Sequence, residues 1–340
     1  MRYRDLIQVF KSPEHIISAS CQKLQSVIGV KRGEDFYRFI HTFDAEFELR
    51  RLESEGVRVL PIDDEGYPQA LKKISDPPIC LFVKGNINNI CLNEKKYVAI
   101  VGTRKITPYG KKVTRDFAVA LAREGIIIVS GLALGVDTEA HEGALETGTT
   151  IAVLGCGVDI VYPPSNRMLY EKIVEKGAII SEFPPGHTVM KGLFVARNRI
   201  ISGLSAGVLV VEGAEDSGAL ITARYAAEQG KDVYAIPSPI TSEVGFAPNF
   251  LIREGAKIVM AYQDILADFG IHKSKAEIKT REFTDKNEEA IYVSITTEGS
   301  TVDDLTKTCQ LPVHIVLQII TSLELKKYIR RTDAGRYEVW

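Results

Sequence analysis

Residues 97–108 have the residue types of an anion-binding turn between a strand and a helix. Tyr97–Val101 holds β-formers or apolar residues without alternation, which predicts a strand buried on both faces. Thr107 and Pro108 suit an N-cap and a first helical residue. The turn Gly102-Thr103-Arg104-Lys105 therefore places two cations where backbone N–H groups and a helix dipole favour an anion. The alternative is an ordinary turn with solvated cations, because the dinucleotide pattern G-x-G-x-x-G is absent.

A second cationic segment ends at Arg199. Lys191, Arg197 and Arg199 place three cations within nine residues, with Phe194 and Asn198 among them and no acid nearby in the sequence. Single-stranded nucleic acid is held by cations along its backbone and by aromatic rings under its bases. The segment therefore predicts a single-strand site. In the alternative interpretation, Phe194 belongs to the core and the arginines cap helix carbonyls.

Two other segments follow predicted strands and carry polar residues. In the first, Gly131 allows a ligand to approach closely, while Asp137 and His141 lie one helical turn apart. They read either as an acid–base pair or as a cap and a loop anchor, and we favour the structural interpretation because no nucleophile accompanies them. In the second, Ser217 and Gly218 lie at a predicted helix N-terminus, where a phosphate contact and a simple N-cap are equally supported.

Motifs of known catalytic sites are not evident. Gly203-Leu-Ser-Ala-Gly207 matches the nucleophile-elbow pattern, but its serine precedes a predicted strand instead of following one. H-E-x-x-H, a Walker loop and paired metal ligands are absent from the sequence. We therefore predict no catalytic residue, no metal and no cofactor.

The composition is that of an ordinary soluble protein. The 340 residues are 45% hydrophobic and 25% charged, and the formal net charge of −2 means that any polyanion site must be a local patch. Five scattered cysteines without a C-x-x-C pair indicate a reducing compartment. With neither a signal peptide nor an apolar run of transmembrane length, we expect a cytoplasmic protein without a membrane partner.

The central part of the chain alternates predicted strands and helices, which is typical of an α/β fold with a doubly wound, mostly parallel sheet. Strands are predicted to begin at Tyr97, Ile126, Thr150, Ala178, Gly207, Asp232 and Ala256. We assign residues 56–270 to this core, including a bridge with strand-like runs at Val57–Leu60 and Ile79–Val83.

Three further regions flank the core. Residues 1–55 read as short helices, either with a helix-hairpin-helix near Lys23–Arg32 or as a plain docking domain, and Phe36, Phe39, Ile40 and Phe43 are predicted to face its core. Residues 271–287 are a polar linker. Residues 288–340 show three helices and a hairpin around Asp333-Ala-Gly335, which is the winged-helix pattern.

Together these segments resemble the DprA/Smf family of DNA-processing proteins over residues 60–260. The matching segments, in chain order, are Tyr67-Pro68, Ile100–Lys105, Tyr109-Gly110, Ser130–Asp137, His141–Leu145, Gly148–Val153, Tyr162-Pro163, Ser181-Glu182, Arg197–Ser205, Ser217–Thr222 and Gly255-Ala256. The chain departs from the family pattern at Val195, where a proline usually precedes the Arg-Asn-Arg group, and at Ser238, where a glycine is usual.

The resemblance implies an extended Rossmann-like core, a helical N-terminal domain and often a C-terminal winged helix. It also implies single-stranded DNA binding, loading of the RecA recombinase during natural transformation, and a homodimer formed near the helix after Ser217 and the later strands.

We therefore predict a non-enzymatic single-stranded DNA-binding protein. The predicted contacts are Gly102, Thr103, Arg104, Lys105, Gly131, Lys191, Phe194, Arg197, Asn198, Arg199, Ser217 and Gly218. Asn198 would orient the loop or reach a base edge, and Phe194 would stack on a base or pack beneath the loop. One rival is a nucleotide phosphoribohydrolase on the same kind of sheet, although its Pro-Gly-Gly-x-Gly-Thr turn is replaced here by Glu-Asp-Ser-Gly-Ala-Leu. The other rival is a protein-binding adaptor.

Overall fold

The computed structural model describes residues 2–86, 96–271, 283, 286–295, 299–326, 328–332 and 335–339. The chain forms two compact units, Met1–Ile271 and His272–Trp340. Most of the predicted linker, residues 272–282 and 284–285, lies outside the described residues, as do Asp333 and Ala334 of the predicted hairpin turn.

The first unit holds fourteen described helices and nine described strands. The strands are β1 (Val57–Pro61), β2 (Cys80–Gly85), β3 (Tyr97–Val101), β4 (Ile127–Ser130), β5 (Thr150–Val153), β6 (Ala178–Ser181), β7 (Gly207–Val210), β8 (Asp232–Ala235) and β9 (Lys257–Ile258). The helices are α1 (Arg2–Phe10), α2 (Pro13–Ile17), α3 (Cys21–Ile28), α4 (Val30–Thr42), α5 (Ala45–Ser54), α6 (Gln69–Lys72), α7 (Pro108–Arg123), α8 (Val136–Thr147), α9 (Arg167–Lys176), α10 (Lys191–Ala196), α11 (Asn198–Leu204), α12 (Gly218–Glu228), α13 (Phe246–Arg253) and α14 (Tyr262–Asp268).

The nine strands form one mixed sheet in the order β1-β2-β6-β5-β4-β3-β7-β8-β9. The block from β6 to β9 is parallel, and β1 and β2 join its β6 edge in antiparallel fashion. The chain leaves β3 in one direction for β4 to β6, then returns to its other side for β7 to β9. The switch point therefore lies between β3 and β7, the place where open α/β sheets hold ligands.

The prediction of a doubly wound, mostly parallel α/β sheet is confirmed, because helices cover both of its faces. Every residue of β3 to β7 is buried, which explains why these runs show no apolar–polar alternation. Five of the seven predicted strands begin at the predicted residue, and the other two, β4 and β9, begin one residue later. Apolar clusters on the two faces share this sheet as their common layer.

The N-terminal helices form their own small core around Leu6, Ile16 and Leu24. Gly29, with φ of 90°, joins α3 to α4 inside the segment that reads either as a helix-hairpin-helix or as part of a plain docking domain, and that choice stays a prediction. The prediction that Phe39 and Phe43 face the core is wrong, because their side chains are 51% and 46% exposed and stack on each other at the surface. The helical spacing was correct, but only the side of α4 that carries Phe36, Tyr37 and Ile40 packs inward.

The second unit contains three described helices followed by a two-stranded antiparallel sheet, in the predicted order. They are α15 (Lys286–Ser294), α16 (Val302–Cys309), α17 (Val313–Leu325), β10 (Ile329–Arg331) and β11 (Tyr337–Val339). The side chains of Ile291, Leu305, Val316 and Leu323 build its core. Assignment of this unit as a winged helix stays a prediction.

Across the described residues, no single helix meets the length and apolarity needed to cross a bilayer. The pair α16 and α17 passes the length and composition test together, but it bends by 113° at the break between the helices.

Candidate nucleic-acid interface

The loops that carry most of the predicted site residues meet at the carboxyl edge of the parallel strands. Thr103 follows β3, and its amide donates a hydrogen bond to the Glu212 carbonyl oxygen beyond β7 at 2.7 Å. The Val136 amide, beyond β4, donates to the Thr103 carbonyl oxygen at 3.1 Å. Gly102 is required here, because an added Cβ would lie 2.5 Å from Val136 Cγ2. Backbone bonds therefore join the loops after β3, β4 and β7 around the switch point.

The N-terminus of α7 already holds an anion of the protein itself. Thr107 is its N-cap and Pro108 its first residue, as predicted, with the Thr107 hydroxyl accepting from the Gly110 amide. The Glu212 carboxylate accepts from the Thr107 amide at 3.0 Å and from the Thr107 hydroxyl. Glu212 is 3% exposed, so its negative charge occupies the position that the helix dipole would offer to a phosphate.

The predicted use of turn amides for a phosphate is therefore corrected. The Thr103 amide is bonded to the Glu212 carbonyl, and the Lys105 amide donates to Thr103 Oγ1 at 3.1 Å. Gly102 and Thr103 thus serve the geometry of the turn. The sequence argument missed Glu212 because it lies 105 residues after Thr107, where its role as acceptor leaves no local pattern.

Arg104 and Lys105 are the exposed groups of this turn. Within the described parts of the chain, neither side chain makes an ion pair. Both side chains can therefore approach an anion without first giving up a protein partner. Arg104 and Lys105 are therefore the candidates for holding an anion from outside the switch point.

Arg197 is buried, which corrects its prediction as a cation on the DNA path. It is 5% exposed and donates hydrogen bonds to the carbonyl oxygens of Val153 and Phe194. Its guanidinium lies against Gly131, where an added Cβ would come within 1.9 Å of Nη1. Gly131 therefore makes room for Arg197 and not for a ligand, and Arg197 ties the end of β5 to α10.

Asp137 and His141 complete this buried cluster and match the structural interpretation. α8 begins at Val136, so Asp137 is not its N-cap. The Asp137 carboxylate instead accepts from the amides of Gly131 and Ala133 at 3.1 and 3.3 Å, and it lies 3.9 Å from Arg197 Nη2. Burial raises the pKa of Asp137, while the Arg197 charge opposes this. These contacts make Asp137 the anchor of the loop after β4.

His141 is fully enclosed and neutral. Its Nδ1 lies 2.7 Å from Thr150 Oγ1, which itself donates to the Ile128 carbonyl oxygen. Nδ1 therefore carries the hydrogen and donates a hydrogen bond to the Thr150 hydroxyl. Nε2 is buried without a hydrogen-bond partner among the described residues. Burial, assisted by the positive charge of Arg197, lowers the pKa of His141 to about 3. A histidine with no access to solvent or substrate does not serve as a general base with Asp137.

Arg199 is also engaged by the protein, which corrects the prediction that no acid is near. Its two Nη atoms donate to the two carboxylate oxygens of Glu182 at 3.0 and 2.6 Å. Asp76 lies 3.4 Å from Nε, and the Arg199 side chain is 13% exposed. The sequence pattern missed both acids because they lie 17 and 123 residues away along the chain.

Asn198, Ser217 and Gly218 meet where α11 approaches the start of α12. Asn198 is buried and donates to the Gly218 carbonyl oxygen at 3.4 Å, which favours the predicted loop-orienting role over a contact with a base edge. Ser217 is the N-cap of α12 and its hydroxyl accepts from the Ala219 amide at 3.3 Å. Gly218 is exposed, with open space where a Cβ would lie.

Phe194 lies on α10 together with Lys191, whose side chain lies outside the described part of the structure. The Phe194 ring is partly buried and packs on the Tyr162 ring, with 5.1 Å between centroids and 36° between planes. Tyr162 is 41% exposed and was not among the predicted contacts. Its only signal in the sequence was the Tyr-Pro pair, which reads equally well as a turn.

The other positions in question are accounted for by local contacts. Ser205 of the elbow-like pattern is buried and donates to the Ile201 carbonyl oxygen at 2.9 Å, before β7, so it is no exposed nucleophile. Ser238 is held by Asn249, which exchanges two hydrogen bonds with its backbone. Val195 lies within α10 and is 41% exposed. The described residues contain no cluster of metal-ligand side chains.

Comparison with known proteins supplies the family. The family model of DNA recombination-mediator protein A matches residues 58–270. Protein Smf of Escherichia coli is 36% identical over 92% of this chain and 85% of its own length. DNA processing protein DprA of Bacillus subtilis is 40% identical over 65% of this chain and 74% of its own length. For Protein Smf of Synechocystis, 40% identical over 73% of this chain, the match spans 60% of the relative.

Two solved structures agree with this result. The X-ray structure of DNA processing protein A from Streptococcus pneumoniae superposes with a TM-score of 0.69 and 36% identity, over 80% of this chain and 93% of that one. A structure concerned with the single-stranded DNA binding mode of DNA processing protein A from Helicobacter pylori gives a TM-score of 0.57 and 34% identity, over 63% and 95%. The chain belongs to the DNA recombination-mediator protein A family, also called DprA or Smf.

Proposed function

We propose that this protein binds single-stranded DNA at the carboxyl edge of its sheet, without catalysis, and delivers that DNA to a RecA recombinase during natural transformation. The observation that carries the proposal is the pair Arg104 and Lys105. Both are exposed at the switch point and unpaired within the described residues. Lys191 on the adjoining α10 would add a third phosphate contact.

The internal carboxylates favour DNA binding over nucleotide hydrolysis. A nucleotide pocket on this kind of sheet needs free amides at the strand ends to hold the pyrophosphate. Here Glu212 engages Thr107, and Asp137 engages Gly131 and Ala133. Because protein carboxylates already saturate these donors, a nucleotide phosphate would meet negative charge there. An extended polyanion that is held from outside by side chains avoids this conflict.

One solved relative points to single-stranded DNA as the polyanion. The Helicobacter pylori protein, at 34% identity, is described by its single-stranded DNA binding mode. The present chain combines exposed cations with a partly exposed aromatic pair at the same edge of the sheet. Cations and aromatic rings together are the usual equipment of single-strand sites.

The decisive experiment is a gel shift with oligo-dT, run beside an assay for nucleobase release from nucleoside monophosphates. We expect a shift that weakens with salt, and no release. Release without a shift would favour the hydrolase, and neither activity would favour the protein-binding adaptor.

Delivery to RecA is a separate step and needs its own test. The assay is RecA filament formation on DNA coated by single-strand-binding protein, with and without this protein. We expect the protein to speed filament formation with a cognate RecA. DNA binding without any acceleration would leave a DNA-binding protein that does not load the recombinase. We also propose a cytoplasmic location, in keeping with the four cysteines of the described residues, which are all free thiols.

We further propose a homodimer at the β9 edge of the sheet. A groove of about 560 Å³ lies between α12, α13 and β8–β9, lined by Leu220, Ile221, Ala223, Ala227, Phe250 and Leu251 among others. Ile258, which directly follows the groove-lining Lys257, is 51% exposed at this edge of the sheet. Light scattering should give a dimer that Ile258→Lys dissociates. A monomeric parent protein would contradict this proposal.

A further inference from the structure

We propose that Tyr162 is the outer ring of a stacking subsite for one unpaired nucleobase, with Phe194 as the ring behind it. The inference rests on the proposed single-strand binding and identifies where that site takes a base. The two rings lie 5.1 Å apart at 36°, within the range of offset aromatic pairs. The pair joins the loop after β5 to α10, two segments that are distant in sequence.

The exposure of the two rings decides which one meets the base. Tyr162 is 41% exposed, whereas Phe194 is partly buried. The Tyr162 hydroxyl has no hydrogen bond among the described residues, so no polar contact there accounts for its position. Phe194 therefore supports Tyr162 from behind, and Tyr162 offers the free aromatic surface.

The contacts of α10 place this surface at the same edge as the exposed cations. The Arg197 side chain donates to the carbonyl oxygens of Phe194 and Val153, which fixes Phe194 above the end of β5. Gly155 allows this approach, because an added Cβ would lie 3.0 Å from the Leu193 and Phe194 backbone. The loop after β4 links Arg197 to the exposed turn, because Asp137 lies 3.9 Å from Arg197 and an added Cβ on Gly135 would lie 2.9 Å from the Arg104 carbonyl. One strand held by Arg104 can thus reach the Tyr162 ring.

This geometry selects an unpaired base without reading its identity. A base inside a duplex is stacked on both sides and cannot present a face to a ring. Every nucleobase has a π-face, so stacking tolerates any sequence. The subsite would therefore help the protein to distinguish single strands from duplex, while Arg104 and Lys105 neutralise phosphates of either form.

The test compares Tyr162→Leu and Tyr162→Phe on two ligands, oligo-dT and an abasic oligonucleotide of the same length. We expect Tyr162→Leu to weaken oligo-dT binding about tenfold and to leave abasic binding unchanged. Tyr162→Phe should bind both ligands as the parent does, because it keeps the ring. The slope of log affinity against log salt should not change, because no phosphate contact is lost. An oligonucleotide with one 2-aminopurine should show fluorescence quenching on binding that Tyr162→Leu reduces.

A matched control is a second exposed aromatic pair, Phe39 and Phe43, with 4.8 Å between centroids. Phe43 is 46% exposed, a fraction similar to that of Tyr162, but it is the C-cap of α4 in the N-terminal helices. Phe43→Leu should leave oligo-dT binding unchanged.

Two results would overturn the stacking subsite. One is parental oligo-dT binding by Tyr162→Leu, and the other is an equal loss on oligo-dT and abasic DNA, which would show a structural role. A failure of the whole proposed function looks different, since Arg104→Ala would then also bind oligo-dT as the parent does. If Arg104→Ala weakens binding and Tyr162→Leu does not, DNA binding stands and the stacking subsite alone is wrong.

Discussion

Arg104 and Arg197 carry the same side chain and lie on neighbouring loops at one edge of the sheet, but their surroundings differ. Arg104 is exposed and makes no ion pair within the described residues, whereas Arg197 is 5% exposed and gives its donors to Val153 and Phe194. Arg199 lies between these extremes, because it is held by Glu182. The number of cations in a segment therefore says little about DNA binding until the partners of each cation are known.

The largest expected effect is the loss of stability in Arg197→Ala. The substitution removes two hydrogen bonds and leaves the Asp137 carboxylate buried without its cation, which costs about 3 kcal/mol in the free energy of unfolding. Urea denaturation followed by circular dichroism measures this change. Arg38→Ala is the control, because Arg38 is exposed on α4 and pairs with Glu34 one turn away, so we expect less than about 0.5 kcal/mol. A folded Arg197→Ala with parental stability and lost DNA binding would return Arg197 to the DNA path.

The second effect is the loss of DNA binding in Arg104→Glu without loss of stability. The change brings a negative charge against a phosphate while removing no ion pair or side-chain hydrogen bond among the described residues, so we expect binding to weaken by at least about tenfold. Arg104→Ala should weaken binding less and lower the salt slope by about 0.7, the share of one phosphate on a single strand. Anisotropy with oligo-dT at several salt concentrations measures both.

Lys112→Glu is the control for Arg104→Glu, because it changes the net charge by the same amount. Lys112 is exposed on α7, beyond the turn. We expect a much smaller effect from it. If a folded Arg104→Glu binds as the parent does, the exposed turn is not the DNA site. The difference in exposure between Arg104 and Arg197 would then have no consequence for DNA binding.

A third prediction concerns how the free energy of unfolding depends on pH through the buried His141. The pKa of His141 is about 3 in the folded state, below the ordinary value of 6.5, so the unfolded chain binds the extra proton first. Its contribution to stability is complete above pH 6.5 and is lost as the pH falls toward about 3. The slope approaches about 1.4 kcal/mol per pH unit for one proton.

Urea denaturation between pH 7 and pH 4 measures this slope, and His141→Gln should reduce it relative to the parent. His314→Gln, which changes an exposed histidine of α17, should leave the slope as it is. Equal slopes for all three proteins would mean that His141 is not held neutral by the fold.

The sequence predicted the sheet well for a physical reason. Strands buried on both faces require uninterrupted apolar runs, so β3 to β7 could be located without knowledge of their neighbours. Thr107 and Pro108 were equally clear, because a cap is a local arrangement. Both signals lie within a few residues of the structure that they predict.

The partners of the charged groups could not be predicted in this way. Glu182 and Asp76 hold Arg199, and Glu212 fills the N-terminus of α7, through contacts that exist only once distant strands are side by side. Gly131 was predicted to lie against a ligand because a glycine after a strand indicates that another group comes close. The sequence does not show that this group is the Arg197 guanidinium. The family resemblance pointed to this edge of the sheet, and the structure separates its exposed residues from those that are engaged within the protein.

The smallest expected effect is that of removing the second unit. The exposed turn and the buried cluster both belong to Met1–Ile271, so a chain that ends after Ile271 should keep most of its single-strand affinity. Ile271 must be retained, because its amide donates to the Leu266 carbonyl oxygen at 3.0 Å and its side chain packs on the core. The second unit also carries cations, at Arg330, Arg331 and Arg336. Arg330 forms an ion pair with Glu338, so it is less available to DNA.

Anisotropy with oligo-dT compares the two chains, with Arg104→Glu placed in each. The substitution should weaken both chains by the same factor, since the turn acts within the first unit. A loss of more than about a hundredfold on truncation, nearly 3 kcal/mol, would place the main DNA site in the second unit instead.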